Sequence, residues 1–348
     1  MASSTELPVL LLNRAPCAKL GAALERLAGR FPRRGFIEDH VAADILGNPG
    51  FLIVMHGRKA ADVACEAFRR RHDNVVILTN GPFYDISAYK TEADAVRRAA
   101  HLAAMSEVFY ASFGCWDAAL TAPPPPPTPG RWRELAAAAA AAAVADPLPW
   151  RVDASLPDVV LFSSNPLGFQ TRLHPGAGEA ELVRRWIARD AEVLGRLLPV
   201  LARHGKRAVV KPHPSTRPGD LDRYRAALDR PPAVVVLDLG VPIERIAARC
   251  LCAVVFSGAS CVHLCRAGVP MFSEAAGVAS NVAVDGVALP GAADDGIAAL
   301  LEGARPALPA QEAFLDAVAA RCYTAEEVAS GALTDRALDL MRASARPR

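Results

Sequence analysis

Short apolar runs alternate along this chain with longer segments that carry apolar residues at helical spacing. The runs at Val9 to Leu12, Phe51 to Met55 and Val75 to Leu78 contain almost no polar residue. Such runs are typical of strands buried on both faces of a sheet. A long amphipathic segment, from about Glu179 to His204, is typical of a helix that covers a sheet. The alternation predicts an α/β protein built on parallel sheets.

A proline run interrupts this alternation and divides the chain into two parts. Pro123 to Pro127 can only be extended and semi-rigid, and an alanine-rich segment follows it. We therefore predict a Rossmann-like domain at 1–120 and a connector at 121–156. A second Rossmann-like domain, with closing helices, is predicted at 157–348.

Composition and charge narrow the class of protein. The chain has 348 residues, of which 52% are hydrophobic and 22% charged, and its net charge is +2. This balance predicts a globular protein with a real core and no nucleic-acid partner. The first residues lack the basic start and long apolar run of a secretory signal, so we expect none, and no apolar run reaches the roughly 18 residues that a membrane helix needs. We expect a cytoplasmic protein, with peripheral association to the inner membrane left open.

Four of the eight cysteines cluster late in the chain, at Cys250, Cys252, Cys261 and Cys265. Their spacings do not match the paired Cys-x-x-Cys pattern of zinc sites. Buried free thiols, packed as small hydrophobic side chains, explain them better. No metal site is predicted.

Two motifs that suit a phosphate follow apolar strands in the second half. Lys211-Pro212-His213-Pro214 offers a cation and an imidazole, and Ser257-Gly258-Ala259-Ser260 offers hydroxyls at the start of a predicted helix. Ligands of open α/β sheets bind at the carboxyl ends of strands, so both motifs are placed to meet one nucleotide. The plainer alternative is that the first motif only ends a strand and the second only caps a helix.

Three stretches together resemble the capsule polysaccharide biosynthesis family, which includes bacterial Kdo transferases. They are Val209 to Pro214, Val255 to Ser260 and Arg266 to Met271, and the resemblance covers roughly residues 205–280. It implies an α/β, GT-B-like fold, in which two Rossmann-like domains with parallel sheets face a cleft. The first domain would then serve the acceptor and the second the nucleotide sugar.

The resemblance also implies a glycosyltransferase whose donor is a CMP-activated acidic sugar, similar to Kdo. No metal and no cofactor beyond that donor substrate would be required. His213 would contact the leaving phosphate as the catalytic residue. Glu274, after the strand at Pro270 to Phe272, is a candidate acceptor of a ribose or cytosine hydrogen bond, or simply a surface acid. The predicted donor-binding residues are Lys211, Pro214, Ser257, Gly258, Ser260 and Glu274.

The acceptor, a glycan or glycolipid, needs a base or nucleophile of its own. We place this role at Glu38 and Asp39, because these acids follow a short apolar pair, Phe36-Ile37. Asp85 and Asp117 are further candidates. For each acid, the competing interpretation is an ordinary solvated loop carboxylate.

Two other functions use similar motifs. One is transfer of glycerol phosphate from a CDP-glycerol donor. The other is a non-catalytic nucleotide-binding scaffold in a polysaccharide assembly complex. The sequence leaves the donor sugar, the linkage and the oligomeric state open.

Overall fold

A computed structural model of the chain describes thirteen stretches and single positions of the sequence. These are residues 7–13, 18–56, 72–113, 126–141, 158–164, 167, 170, 174, 176–256, 260–274, 289, 292–304 and 311–344. A helix predicted at 60–71, the candidate Asp117, and the site residues Ser257 and Gly258 lie outside them.

The strands of the described residues form two sheets. The first sheet has the order β11-β5-β4-β3-β1-β2, and the second has the order β10-β9-β6-β7-β8. The strands are β1 Val9–Leu12, β2 Arg34–Phe36, β3 Phe51–His56, β4 Val75–Asn80, β5 Val108–Phe113, β6 Val159–Phe162, β7 Ala208–Lys211, β8 Val234–Val236, β9 Cys252–Val255, β10 Met271–Ser273 and β11 Cys322–Thr324.

Helices connect and cover these strands. They are α1 Ala18–Ala28, α2 Ala42–Ile45, α3 Ser87–Thr91, α4 Ala95–Met105, α5 Arg131–Ala141, α6 Glu179–Arg203, α7 Pro218–Leu228, α8 Ile243–Ala247, α9 Ser260–Arg266, α10 Ala293–Leu301, α11 Gln311–Ala319, α12 Ala325–Ser330 and α13 Ala332–Ser344, with one 3-10 turn at Ile37–Asp39.

The second sheet is parallel throughout, as the sequence pattern predicts. Its strands are apolar because helices cover them, and the longest of these helices is α6. One stripe of α6 packs into the core through residues such as Val183, Trp186, Val193 and Leu197. Spacings of three and four residues place these side chains on one helical face.

The first sheet is mixed rather than wholly parallel. Strands β2, β1, β3 and β4 run parallel, whereas β5 is antiparallel to β4 and β11 is antiparallel to β5. All six residues of β5 are buried. An apolar run buried on both faces looks the same in either direction, so the sequence pattern could not reveal this reversal.

Contacts divide the chain into two compact units, and neither is continuous in sequence. The first contains 1–84, 99–144 and 316–348, and the second contains 85–98 and 145–315. The last helices therefore belong with the first sheet, although the predicted boundary at 157 assigns them to the second domain.

Thr324 and Glu327 form a reciprocal capping box that starts α12, which packs on α1.

The α/β class and the two Rossmann-like, predominantly parallel sheets are confirmed. Each sheet has its own apolar core. The core of the second sheet runs from Val159 to Ile297 in sequence, and the first sheet has one cluster on each face.

Candidate functional site

The carboxyl edge of the second sheet is formed by three neighbouring strands. Strand β7 ends at Lys211, β6 is followed by Ser163, and β9 is followed by Phe256. The Ser163 amide donates to the Lys211 carbonyl at 3.0 Å, which continues the pairing past the strand ends. Because β6 lies between β7 and β9, the ends of β7 and β9 lie about 10 Å apart, at twice the usual strand spacing.

His213 lies half-buried two residues past the end of β7. Its Nδ1 accepts a hydrogen bond from the Ser215 amide at 3.1 Å, so in the neutral ring the proton sits on Nε2. Burial lowers the pKa of His213 to about 4, and the positive charges of Lys211 and Lys90 act in the same direction. At neutral pH the ring is therefore a neutral hydrogen-bond donor through Nε2.

The Lys211 side chain is buried and turned toward backbone carbonyls. Its Nζ donates to the Leu239 carbonyl at 2.6 Å and to the Pro212 carbonyl at 3.3 Å. Burial lowers the pKa of Lys211 to about 8, although the carboxylates of Asp85 and Asp238 oppose the shift. Lys211 therefore anchors the loop after β8, and its buried ammonium group adds positive charge close to the carboxyl edge of the sheet.

A short segment from the first half of the sequence belongs to this second unit. Asp85 accepts from the Ser87 amide at 2.8 Å and from the Ile243 amide at 2.5 Å, which ties α3 to the start of α8. We expected Asp85 on the acceptor side, but both contacts place it in the unit of the second sheet. The same segment carries Lys90, whose charge reaches His213.

Ser260 begins α9 and is half-buried. The helix is fixed by His263, whose Nδ1 lies 2.7 Å from Glu244 Oε1 of α8. Burial alone would lower the pKa of His263, but the Glu244 carboxylate reverses this effect and holds it above its usual value. This ion pair ties α9 to α8.

Glu274 follows β10, as predicted, and its carboxylate already has a partner. Arg196 of α6 donates to Glu274 Oε2 at 2.7 Å, and this hydrogen bond raises the pKa of Arg196. Arg196 also lies 3.5 Å from Asp294. Glu274 therefore links β10 to α6, and its role toward a ribose or cytosine stays a prediction. Pro214 is half-buried in the turn beside His213.

Glu38 and Asp39 are exposed in the 3-10 turn that follows β2, the edge strand of the first sheet. The turn itself is held by the His40 amide, which donates to the Ile37 carbonyl. Their assignment as acceptor-side acids stays a prediction. Another polar group of this sheet is His56 at the end of β3, where burial lowers its pKa.

A buried polar network behind the carboxyl edge is absent from the sequence-based predictions. Asp190 of α6 is fully buried, and its Oδ2 accepts from the Ser163 hydroxyl at 2.5 Å and from the Tyr224 hydroxyl at 2.7 Å. Its Oδ1 accepts from Arg189 at 2.6 Å, and Trp186 donates to Ser163 Oγ at 2.7 Å. One signal was available, because Asp190 interrupts the apolar stripe of α6.

No group of three or more His, Cys, Asp or Glu side chains in the described stretches is arranged to hold a metal ion. The clustered cysteines are unbonded, and three of them are buried. Burial raises the pKa of Cys265 to about 12. Within the same stretches, no helix is both long and apolar enough to cross a membrane.

Comparisons with known proteins give structural matches alone. No family model matches the chain, and no curated protein matches it. The chain is similar to Thermosulfurimonas dismutans KpsC, beta Kdo 2,7 transferase, with 12% identity over 94% of this chain and 99% of that one, and a TM-score of 0.44.

Two further solved structures align over most of their length. KpsC, beta Kdo 2,4 transferase, from the same organism has 15% identity over 91% of this chain and 90% of that one, with a TM-score of 0.47. S. aureus MnaA, solved with UDP, has 10% identity over 95% and 96%, with a TM-score of 0.38. These values carry no functional argument, so the case for function depends on the residues of the site.

Proposed function

We propose that this protein is a metal-independent glycosyltransferase of bacterial capsule or surface polysaccharide synthesis, with a CMP-activated, Kdo-like acidic sugar as donor. The second unit would bind the donor and the first unit a glycan or glycolipid acceptor. The observation that carries the proposal is the state of His213, which presents a neutral Nε2–H at the carboxyl edge of a parallel sheet.

The chemistry follows from charge. When the bond between the sugar and CMP breaks, negative charge builds on the departing phosphate oxygen. A hydrogen bond from His213 Nε2 and one from the Ser260 hydroxyl would stabilise that charge. Lys211 adds positive potential from its buried position, while Ser257 and Gly258 are proposed to complete the anion site. Cationic and hydrogen-bonding side chains would then stabilise the departing phosphate, the role that a metal ion has in metal-dependent transferases.

A melting experiment tests the donor class. Ligands that bind the native protein raise its stability, by about 2.7 kcal/mol at a hundredfold excess over Kd. We expect CMP to raise the melting temperature more than CDP-glycerol, UDP or GDP at equal concentration. A larger shift with CDP-glycerol would favour the glycerophosphotransferase instead. A protein that binds CMP but never releases it from a CMP-sugar would be a scaffold.

Replacing the predicted acceptor-side acids tests the other half of the proposal. If Glu38 or Asp39 is the base, Glu38→Gln or Asp39→Asn should slow CMP release from CMP-Kdo by about 10²- to 10⁴-fold, the usual contribution of general base catalysis. CMP affinity should stay unchanged. Glu25→Gln, an exposed acid on α1, is the matched control. Wild-type rates in both variants would move the base elsewhere.

A further inference from the structure

A short segment from the first half of the chain, 85–98, belongs to the second unit. Its first residue, Asp85, accepts a hydrogen bond from the Ile243 amide at the start of α8. The loop that leads into α8 also carries the Leu239 carbonyl, to which Lys211 Nζ donates at 2.6 Å. One loop therefore contacts both this segment and the end of β7, the strand that leads into the His-Pro motif.

The segment places the positive charge of Lys90 close to that motif. Lys90 lies in the last turn of α3, and it is exposed. Burial contributes most to the low pKa of His213, and the charges of Lys211 and Lys90 add to it. Because electrostatic effects between charges decay over about 10 Å in salt solution, Lys90 must lie near the imidazole. This agrees with the contacts of the loop before α8.

Lys90 shares one aromatic ring with a second cation. Lys90 Nζ lies 5.7 Å from the centre of the Tyr89 ring, and Arg98 Cζ lies 5.4 Å from it. Both distances fall within the roughly 6 Å at which a cation is attracted to an aromatic face. Tyr89 is half-buried, whereas both cations are exposed. The ring therefore gathers two positive charges at one accessible surface.

The neighbouring acids are engaged by another arginine. Arg97 Nε donates to Glu92 Oε2 at 2.8 Å, and the Arg97 amide donates to Asp94 Oδ1 at 2.8 Å. Within the described stretches, no carboxylate forms an ion pair with Lys90 or Arg98. Both cations can therefore accept an anion from solution.

The proposed donor carries two anions, and the strand ends provide for one of them. His213 and Ser260 are placed to donate to the phosphate, and Lys211 adds its buried charge. In a 2-keto acid sugar, the carboxylate is bonded to the same anomeric carbon that carries the phosphate. The carboxylate therefore lies within a few ångströms of the phosphate, and a separate, exposed cation near His213 matches that position.

We propose that Lys90 binds the carboxylate of the donor sugar, and that Arg98 adds positive potential beside it. The inference rests on the proposed function, because it assumes a nucleotide sugar at this edge. It deepens that function by assigning the preference for an acidic sugar to residues of the first half of the chain. These residues lie outside the stretches that carry the family resemblance.

The test compares CMP-Kdo with CMP, because CMP lacks the sugar carboxylate. Displacement of fluorescently labelled CMP by each ligand would be measured without acceptor. We expect Lys90→Met to weaken CMP-Kdo binding by about tenfold, the usual scale for losing a hydrogen bond to a charged group, and to leave CMP binding nearly unchanged. Lys90→Arg keeps the charge and should retain most of the affinity for CMP-Kdo.

Two further variants complete the design. Lys206→Met is the matched control, because Lys206 precedes β7 and therefore lies at the opposite, amino edge of the same sheet. It should leave the affinities for both ligands unchanged. Arg98→Met should weaken CMP-Kdo binding by about 2- to 5-fold, the usual contribution of an exposed ion pair. Melting temperatures close to that of the wild type would show that these surface variants are folded.

Two results would overturn the inference while the proposed function stands. One is wild-type affinity for CMP-Kdo in folded Lys90→Met. The other is an equal loss for CMP-Kdo and CMP, since Lys90 would then act on the phosphate or on the structure of the edge.

Failure of the donor assignment can be separated from failure of the Lys90 assignment. If the wild type binds UDP but not CMP, the donor assignment is wrong, and UDP-glucuronate is then compared with UDP-glucose. A loss in Lys90→Met that is confined to UDP-glucuronate would support a carboxylate-binding role, and an equal loss would overturn it. A wild type that binds no nucleotide would overturn both proposals.

Discussion

Replacing His213 by alanine is expected to lower the rate of CMP release by about 10²- to 10³-fold, the usual effect of removing one donor from a developing anion. CMP affinity should fall much less, since the imidazole hydrogen bond strengthens as charge builds on the phosphate. The fold should be retained, because His213 lies past the end of β7 and its removal leaves little cavity. The measurement is CMP release from CMP-Kdo under saturating donor, with CMP binding measured separately.

His174→Ala is the matched control, because His174 also precedes a proline in the sequence. The pH dependence gives a second control. Since the pKa of His213 is about 4 when folded and 6.5 when unfolded, its contribution to stability is complete above pH 6.5 and is lost as the pH falls toward 4. The His213→Ala variant should lack this loss. Normal turnover in His213→Ala would leave the His-Pro motif as a strand terminator only.

Replacing Asp190 by alanine is expected to destabilise the protein by about 3–5 kcal/mol, the usual cost of breaking a buried ion pair from one side. The change leaves the Arg189 guanidinium without its carboxylate and removes the acceptor of the Ser163 and Tyr224 hydroxyls. Urea denaturation measures the change in the free energy of unfolding.

Asp222→Ala is the control for loss of one negative charge, because Asp222 is exposed on α7. It should change the free energy of unfolding by less than about 0.5 kcal/mol, as surface substitutions usually do. An effect this small in Asp190→Ala would mean that the network contributes nothing to the second unit.

The strands of the second sheet were predictable because their apolar runs are bounded by turn residues and separated by helical patterns. The strands of the first sheet were harder to predict from the sequence. β11 is three residues long and sits between two helices, so its pairing with β5 could not be read from local pattern. The pairing of β11 with β5 helps to bring residues 316–348 into the first unit. That unit therefore depends on contacts between residues far apart in sequence.

The strand-end positions of Lys211, His213, Ser260 and Glu274 were predictable from the same pattern. Their surroundings were not. Lys211 points to the Leu239 carbonyl, and Glu274 pairs with Arg196. Such contacts join residues far apart in sequence, so residue type and spacing do not determine them.

The protonation of His213 in the presence of ligand tests the central claim most directly. The protein would be labelled with ¹⁵N at histidine, and the His213 imidazole signals, assigned with His213→Ala, would be titrated with pH in the presence of CMP or cytidine. A phosphate bound at Nε2 favours the charged ring, so saturating CMP should raise the pKa of His213 from about 4 by about one unit or more, and cytidine should leave it unchanged. Saturating CMP binding with no change in the pKa of His213 would contradict the assignment of this edge as the donor phosphate site.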